Sequence, residues 1–304
     1  MWYLVIALGL IVAAAIAAVV AASRSPAVQN ARGALLKKQS IGLLEKGDLE
    51  GAIRKDLRAL RIFERTGYDR ARVATHIALA RIYWGAGNLP EVKEHLDVAC
   101  RDSRKPGYEQ FLLEAAELMG EYFMVTRNPR EALDCFKEAA AVGEEETNSL
   151  RAVTQNVPLP RGRGVIAARP PIEVVFRRVH AILGRANIAR AHLTAGDPGQ
   201  AAHVLRQLLA ALDDLEDPSN PRAGTALNTL YHYATIDPTG DASRQLRAVV
   251  PPLLRDIRMA CTMAAGKASE NGESADALER ACQELLSFRP QIEQQLRQLR
   301  FGPH

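Results

Sequence analysis

A short turn motif recurs in this chain at intervals of forty residues. Gly47-Asp48 is followed by Gly87-Asn88 and Arg127-Asn128, and Gly196-Asp197 comes after a longer gap. Asp and Asn are preferred immediately before a helix, because their side chains accept hydrogen bonds from the free N–H groups of its first turn. A helix is therefore predicted to begin at the same phase in four units. A period of this length restricts the chain to an array of similar supersecondary units.

Apolar residues on both sides of each turn have the spacing of helix faces. Aromatic residues make up only 5% of the chain, so the core is expected to consist mainly of Ala, Leu, Val and Ile. The pattern predicts an all-α fold of helical hairpins. In the helices after the four turns, small and large apolar residues recur every three to five positions: Ala52, Leu57 and Ala59; Val92, Leu96 and Ala99; Ala132, Phe136 and Ala139; Ala201, Leu205 and Leu208.

This arrangement resembles the tetratricopeptide repeat (TPR) family. In that family a first helix carries a Leu-Gly/Ala pair and an aromatic residue, and a Gly-Asp/Asn turn leads to a second helix with small, large and small residues. The closest unit contains Leu79-Ala80, Tyr83, Gly87-Asn88 and Ala99, and the next contains Met119-Gly120, Phe123 and Phe136. The family period is about 34 residues, so each unit here is about six residues longer. The resemblance covers residues 33–210 and implies a TPR-like α-solenoid.

The first residues of the chain form a long apolar run. Trp2 to Ala22 contains no charged residue and no proline. As a helix it reaches about 31 Å, close to the thickness of a bilayer's hydrocarbon core. A signal peptide usually has a basic residue before a shorter apolar run. We therefore expect an uncleaved transmembrane helix; the alternatives are a signal peptide cleaved near Val20-Ala21-Ala22 and a buried core helix.

Basic residues follow this run and none precedes it. Arg24, Arg32, Lys37 and Lys38 lie on the C-terminal side of the predicted span. Because basic residues concentrate on the cytoplasmic side of membrane segments, the remainder of the chain is predicted to be cytoplasmic and anchored by a single pass. The four cysteines form no Cys-x-x-Cys motif, which fits a reducing compartment.

These features predict six segments. They are a transmembrane anchor (1–23), a juxtamembrane linker (24–32), TPR-like repeats one to three (33–142), a Pro/Arg-rich insertion (143–171), a fourth repeat (172–216), and degenerate helical repeats with a C-terminal cap (217–304). Atypical end units are expected because the last unit of a solenoid must cover an exposed apolar face.

The insertion is the most basic part of the chain. Arg161, Arg163 and Arg169 lie in a stretch, 151–185, that holds seven arginines and one acidic residue. These arginines are candidates for contact with an acidic partner or with lipid headgroups, and the alternative is a solvated linker. Nucleic acid is not expected, because no aromatic residues that could stack on bases are interleaved and the net charge is only +4.

No catalytic or metal-binding motif is present. His-Glu-x-x-His, Cys-x-x-Cys and Gly-x-Ser-x-Gly are all missing from the sequence, so no enzyme, metal or cofactor is predicted. The TPR resemblance implies instead a concave groove that is lined by the first helix of each hairpin. Trp84 is either a binding hot spot beside Arg81 or a residue packed between hairpins. The predicted groove residues are Lys37, Leu44, Arg81, Trp84, Glu117, Glu121, Met124 and Arg190.

The expected function is that of a membrane-tethered scaffold or adaptor, whose groove binds a protein or peptide partner. The layout is similar to that of membrane-anchored bacterial regulators of lipopolysaccharide assembly, although their rubredoxin-like metal knuckle is missing here. The alternatives are a periplasmic or secreted assembly factor, if the N-terminus is cleaved or inverted, a homo-oligomeric structural protein, or an enzyme with an unrecognised site.

Overall fold

A computed structural model describes residues 25–155, 171–216, 255–257, 259–260, 262–263, 275–290, 292 and 294, with side chains omitted at 144–155, 171–178, 213–216 and 275–277. All of the regular secondary structure in these ranges is helical, which confirms the predicted all-α class. The helices are α1 (Pro26–Leu44), α2 (Leu49–Thr66), α3 (Asp69–Gly85), α4 (Leu89–Ser103), α5 (Glu109–Val125), α6 (Pro129–Gln155), α7 (Pro171–Thr194), α8 (Pro198–Glu216) and α9 (Ala275–Ser287).

The four predicted turns share one backbone structure. Gly47, Gly87, Arg127 and Gly196 have φ values of 78°, 73°, 60° and 80°. In each turn the N–H of the next residue donates to a carbonyl five residues earlier, as from Asp48 to Leu43 at 3.0 Å and from the other three at 2.8 to 2.9 Å. This pairing satisfies the free carbonyls at a helix end and requires a left-handed residue, which explains the preference for Gly.

The predicted N-terminal caps form in part. The side chain of Asp48 accepts from the N–H of Gly51 at 2.8 Å, and that of Asp197 accepts from Gln200 at 3.1 Å. The prediction is wrong for Asn88, which makes no side-chain capping bond although α4 begins at the expected phase. Pro90 explains this in part, because it removes one of the two N–H groups that a capping side chain can reach.

A second repeated turn joins one hairpin to the next. Gly67 and Gly107, forty residues apart, have φ values of 69° and 85°, and each is followed by a tyrosine. At the second of these turns the guanidinium of Arg70 donates to the carbonyl of Gly107 at 2.9 Å. It also lies over the ring of Tyr108, at 5.6 Å from the centroid. These contacts fix the start of α5 against the start of α3.

The chain divides into two compact units, Met1–Phe111 and Leu112–His304, and the boundary falls within α5. In the first unit α1 packs on α2, α2 on α3 and α3 on α4. In the second unit α7 packs on α6, α8 and α9. The core of the first unit includes Ala52, Leu79 and Leu96, and that of the second includes Phe136 and Leu183.

Several predicted boundaries differ from the structure. The segment 24–32, predicted as a linker, is helical from residue 26, because Ser25 and Pro26 begin a helix of their own. Helix α6 continues to Gln155 and so includes the first part of the predicted insertion 143–171. The predicted anchor and residues 217–254 lie outside the described residues. None of the described helices is long and apolar enough to cross a membrane.

Helices α1 and α2 approach closely at Gly33, and this predicts how two substitutions in α1 change the free energy of unfolding. A Cβ added to Gly33 would stand 2.5 Å from Cε1 of the buried Phe63, whereas a Cβ on Gly42, also in α1, meets no atom within 4 Å. Gly33→Ala should destabilise the protein by about 1–3 kcal/mol through overpacking. Gly42→Ala should instead stabilise α1 by roughly 0.5–1 kcal/mol. Urea unfolding of both variants tests this, and equal stability of the two would contradict it.

Candidate partner-binding surfaces

The eight predicted groove residues lie on the first helix of each hairpin. Lys37 and Leu44 are on α1 and Arg81 and Trp84 on α3, all in the first unit; the other four are in the second unit. Glu117, Glu121 and Met124 are on α5 and Arg190 is on α7. The predicted acidic-partner or lipid contacts Arg161, Arg163 and Arg169 lie outside the described residues.

Lys37 has a structural partner inside its own hairpin. Its Nζ lies 2.6 Å from Oδ2 of Asp56 on α2, and the Asp56 side chain is only 1% exposed. Nearby, the hydroxyl of Ser40 donates to the carbonyl of Ala52 at 3.2 Å. Because a buried carboxylate without a counter-charge is costly, the ammonium of Lys37 is needed by Asp56. The structure therefore places Lys37 in the interior of the hairpin rather than on a free binding surface.

The remaining predicted residues of the first unit stay accessible. Arg81 is exposed, and Trp84 and Leu44 are half-buried. Arg81 and Trp84 are three residues apart on α3, so they lie on one side of that helix. Trp and Arg are the residue types that are enriched at binding hot spots. Trp84 is partly exposed, so part of this residue is accessible to a ligand.

A buried histidine pair lies in the second hairpin. Nδ1 of His76 on α3 and Nδ1 of His95 on α4 are 3.0 Å apart, and the ring of Tyr83 stacks on His95 with centroids 5.5 Å apart. Burial, and then the neighbouring His95 and Arg72, lower the pKa of His76 from 6.5 to about 4. Burial also lowers the pKa of His95. Both rings are therefore neutral at neutral pH and share one proton between the facing nitrogens.

This pair lacks a third metal ligand. No three His, Cys, Asp or Glu side chains come together as a possible metal site within the described ranges. No motif in the sequence singles out these two histidines. The signal that could have found them is positional, because His76 and His95 are buried on consecutive helices at positions that Leu36 and Val204 occupy in other repeats.

Polar and charged residues of the second unit form two sets of contacts, here together called the charged cluster, whose carboxylates Glu117 and Glu121 lie one turn apart on α5. Arg190 donates to Oε1 of Glu121 at 2.8 Å and to Oδ1 of Asn187 at 3.0 Å. Arg289, from beyond α9, makes a close ion pair with Glu117 and donates to Nδ1 of His180 at 3.2 Å. The charged cluster consists of Glu117, Glu121, His180, Asn187, Arg190 and Arg289. It brings together three of the predicted residues and adds three that were not predicted.

The C-terminal helix packs against α7 next to the charged cluster. Leu278, Cys282 and Leu285 are buried in the same apolar cluster as Leu183 of α7, and the predicted groove residue Met124 packs against that cluster. These positions of α9 are four and three residues apart, and Arg289 follows four residues after Leu285. They therefore form one stripe of the helix, with a charged residue at its end.

The thiol of Cys282 is chemically inert in this position. Burial raises its pKa to about 12, so the thiol stays protonated and is a poor nucleophile at neutral pH. Its contribution is packing between α9 and α7.

No protein-family model, no curated protein and no solved structure is significantly similar to this chain.

Proposed function

We propose that this protein is a membrane-tethered scaffold or adaptor, in which TPR-like helical hairpins bind a helical segment of a protein partner. The observation that carries the proposal is the packing of α9. An amphipathic helix from the distant C-terminal part of the chain lies on α7 through Leu278, Cys282 and Leu285. Arg289, two residues after the end of this helix, pairs with Glu117 on α5. Binding of an amphipathic helix through apolar residues three and four positions apart is a common mode of recognition.

The partner surface that we propose is on the first unit, around Arg81 and Trp84. In the second unit, Glu117 already has a partner from the C-terminal segment. In the first unit, Lys37 is paired with Asp56, while Arg81 is exposed and Trp84 is half-buried on one side of α3. An aromatic side chain beside an arginine supplies both apolar area and hydrogen-bond donors for a partner helix.

The proposed tether is the apolar run from Trp2 to Ala22. It precedes Arg24, Arg32, Lys37 and Lys38, which favours a cytoplasmic location for both units. Confining the scaffold to a membrane raises its effective concentration for partners on the same surface without any new contact. The competing proposal of a periplasmic or secreted assembly factor differs only in the fate of this segment.

The tether is tested by protease protection of a C-terminal tag on intact cells or inverted vesicles, together with the mass of the mature chain. Protection in intact cells, digestion in inverted vesicles and an intact N-terminus support the tether. Digestion from outside, or loss of residues 1–22, would establish the exported alternative.

The partner surface is tested by a photo-crosslinking amino acid placed in the full chain, in its own cells, at position 85. Gly85 follows Trp84 and lies one turn after Arg81, it is exposed, and a Cβ added there meets no atom within 4 Å, so both proposed contact residues stay in place. Position 54, on the exposed face of α2, is the matched control. We expect one dominant adduct from position 85 and none from position 54. In the same cells, Trp84→Ala should reduce the yield of that adduct about tenfold or more, the effect of losing a hot spot of about 1.4 kcal/mol or larger.

A lower adduct yield in Trp84→Ala indicates a lost partner contact only if the variant is folded, so its folding is measured as a control. The circular dichroism of the variant should match that of the wild type, because Trp84 is half-buried rather than enclosed. If helical content falls, Trp84 belongs to the core and the proposed surface is wrong. If position 85 gives no adduct or the same adducts as position 54, the scaffold proposal itself fails.

A further inference from the structure

The outer face of α1 is apolar and basic at the point where the chain leaves the predicted membrane span. Val28 and Leu35 are 48% and 55% exposed, although both are large aliphatic residues. Ala31, Arg32 and Lys38 are exposed on the same side of the helix. We propose that this face lies on the headgroup layer of an anionic lipid bilayer, with Val28 and Leu35 inserted and Arg32 and Lys38 contacting lipid phosphates.

The exposed apolar residues form a stripe because they are three and four positions apart at 28, 31 and 35. The opposite face of α1, with Gly33, Leu36 and Ser40, is buried against α2. Helix α1 thus has aliphatic residues on its exposed face in addition to a buried face. The first helix of a repeat array normally needs a polar outer face for solubility. Since the outer face of α1 is instead aliphatic, we expect another surface to cover it and to remove Val28 and Leu35 from water.

The charge of α1 matches an anionic surface. The helix contains Arg32, Lys37 and Lys38 and no acidic residue. Lys37 is paired with Asp56, whereas neither Arg32 nor Lys38 has an ion pair within the part of the chain that the structure describes. An interfacial helix typically has Lys and Arg beside its apolar stripe, because their aliphatic stems lie along the apolar surface while the charges reach the headgroups.

The start of α1 permits this orientation. Ser25 has an extended backbone, with φ −60° and ψ 142°, and its hydroxyl accepts from the N–H of Val28 at 3.4 Å. Pro26 occupies the first helical position. Helix α1 therefore begins with its own cap rather than continuing a preceding helix, so the chain can turn at Ser25. The apolar run ends at Ala22, three residues earlier.

This inference rests on the proposed tether, and the test separates the two. The full chain is reconstituted, one copy per disc, into lipid nanodiscs, in which both membrane faces are open to solvent. Two variants are compared, Leu35→Cys and the control Glu50→Cys on α2, where the native side chain is 87% exposed. The labelling rate of each introduced thiol by a charged maleimide is read from the mass of its own peptide, so the native cysteines can stay.

The discs contain either phosphatidylcholine alone or a mixture with phosphatidylglycerol. The measured quantity is the labelling rate at position 50 divided by the labelling rate at position 35. We expect this ratio to be at least fivefold greater in the anionic discs than in the neutral discs. Arg32→Glu combined with Lys38→Glu should abolish this lipid dependence, whereas Arg58→Glu, on the exposed face of α2, should leave it unchanged.

The outcomes distinguish the tether from the contact of α1 with anionic lipid. If the chain enters the discs but the ratio is the same in both lipids, the tether is supported and the contact of α1 with lipid is overturned. The same ratio with slow labelling at position 35 in both lipids means that α1 is covered without any contribution from anionic lipid, which also overturns the proposed contact. If the chain does not enter the discs, both the proposed tether and the inference that depends on it are overturned.

Discussion

Lys37→Ile is expected to destabilise the first unit by about 3–5 kcal/mol. The substitution leaves the Asp56 carboxylate without a counter-charge at a position that is only 1% exposed. Its other oxygen, Oδ1, is already buried with no hydrogen-bond partner among the described groups. Urea unfolding, with hydrogen exchange of the α1 and α2 peptides to localise the loss, measures the effect.

The repeat itself supplies the rescuing variant. Forty residues after Lys37 and Asp56 lie Ile77 and Leu96, and both are buried apolar residues of the second hairpin. Lys37→Ile with Asp56→Leu should therefore recover most of the lost stability, since replacing a buried ion pair by well-packed apolar residues is often neutral or stabilising. If Lys37→Ile is as stable as the wild type, Lys37 has no structural role, and it is again a candidate for contact with a partner.

The repeat phase could be predicted because it is encoded locally. Each of the four turns depends on a left-handed residue and on backbone bonds within six consecutive residues, from Leu43 to Asp48 in the first hairpin. Hydrogen bonds of this kind can be predicted from a few adjacent residues in the sequence. The second repeated turn was equally local and was missed, although Gly67-Tyr68 and Gly107-Tyr108 also lie forty residues apart.

The environment of the predicted site residues could not be predicted in the same way. Spacing places Lys37, Glu117 and Arg190 on the first helix of a hairpin, but it does not say what lies opposite them. Arg289 reaches Glu117 across 172 positions of sequence. The partner of Lys37 is on the next helix, at a position that is apolar in the other hairpins. Long-range charge pairs of this kind follow from the fold and carry no periodic signal.

The ion pairs of Lys37 and Glu117 reduce the number of predicted groove residues that can contact a partner. A charged residue with a buried partner cannot leave it for a ligand without exposing that partner to the full cost of desolvation. Lys37 and Glu117 are therefore expected to contribute to stability first. Arg81 is exposed and Trp84 is half-buried on the same helix, so their substitution should affect a partner more than the fold.

The first unit is also expected to lose stability in mild acid, because of the histidine pair. The pKa of His76 is lowered from 6.5 to about 4 by burial and then by His95 and Arg72, so the folded state disfavours protonation. The unfolded chain binds the proton near pH 6.5. Stability is therefore complete above pH 6.5 and is lost as the pH falls from 6.5 toward 4.

The expected loss is about 2–3 kcal/mol between pH 7.5 and 4.5, at about 1.4 kcal/mol per pH unit of difference between the two pKa values. Hydrogen exchange of α3 and α4 amides at both pH values, corrected for the intrinsic rate, measures it. His76→Leu with His95→Val is the informative variant, since Leu36 and Val204 are the buried residues at the same positions of the first and fourth repeats.

In that double variant the acid-induced loss in α3 and α4 should shrink by about the amount assigned to the pair, whereas His203→Gln, on the exposed surface of α8, should leave it unchanged. The two Nδ1 atoms face each other at 3.0 Å, so the neutral pair holds one proton between them, and a second proton at these two atoms would place two N–H donors against each other. Nε2 of His95 has no hydrogen-bond partner among the described residues to relieve the added charge. An equal loss in the wild type and the double variant would show that carboxylates elsewhere, and not this pair, set the acid sensitivity of the unit.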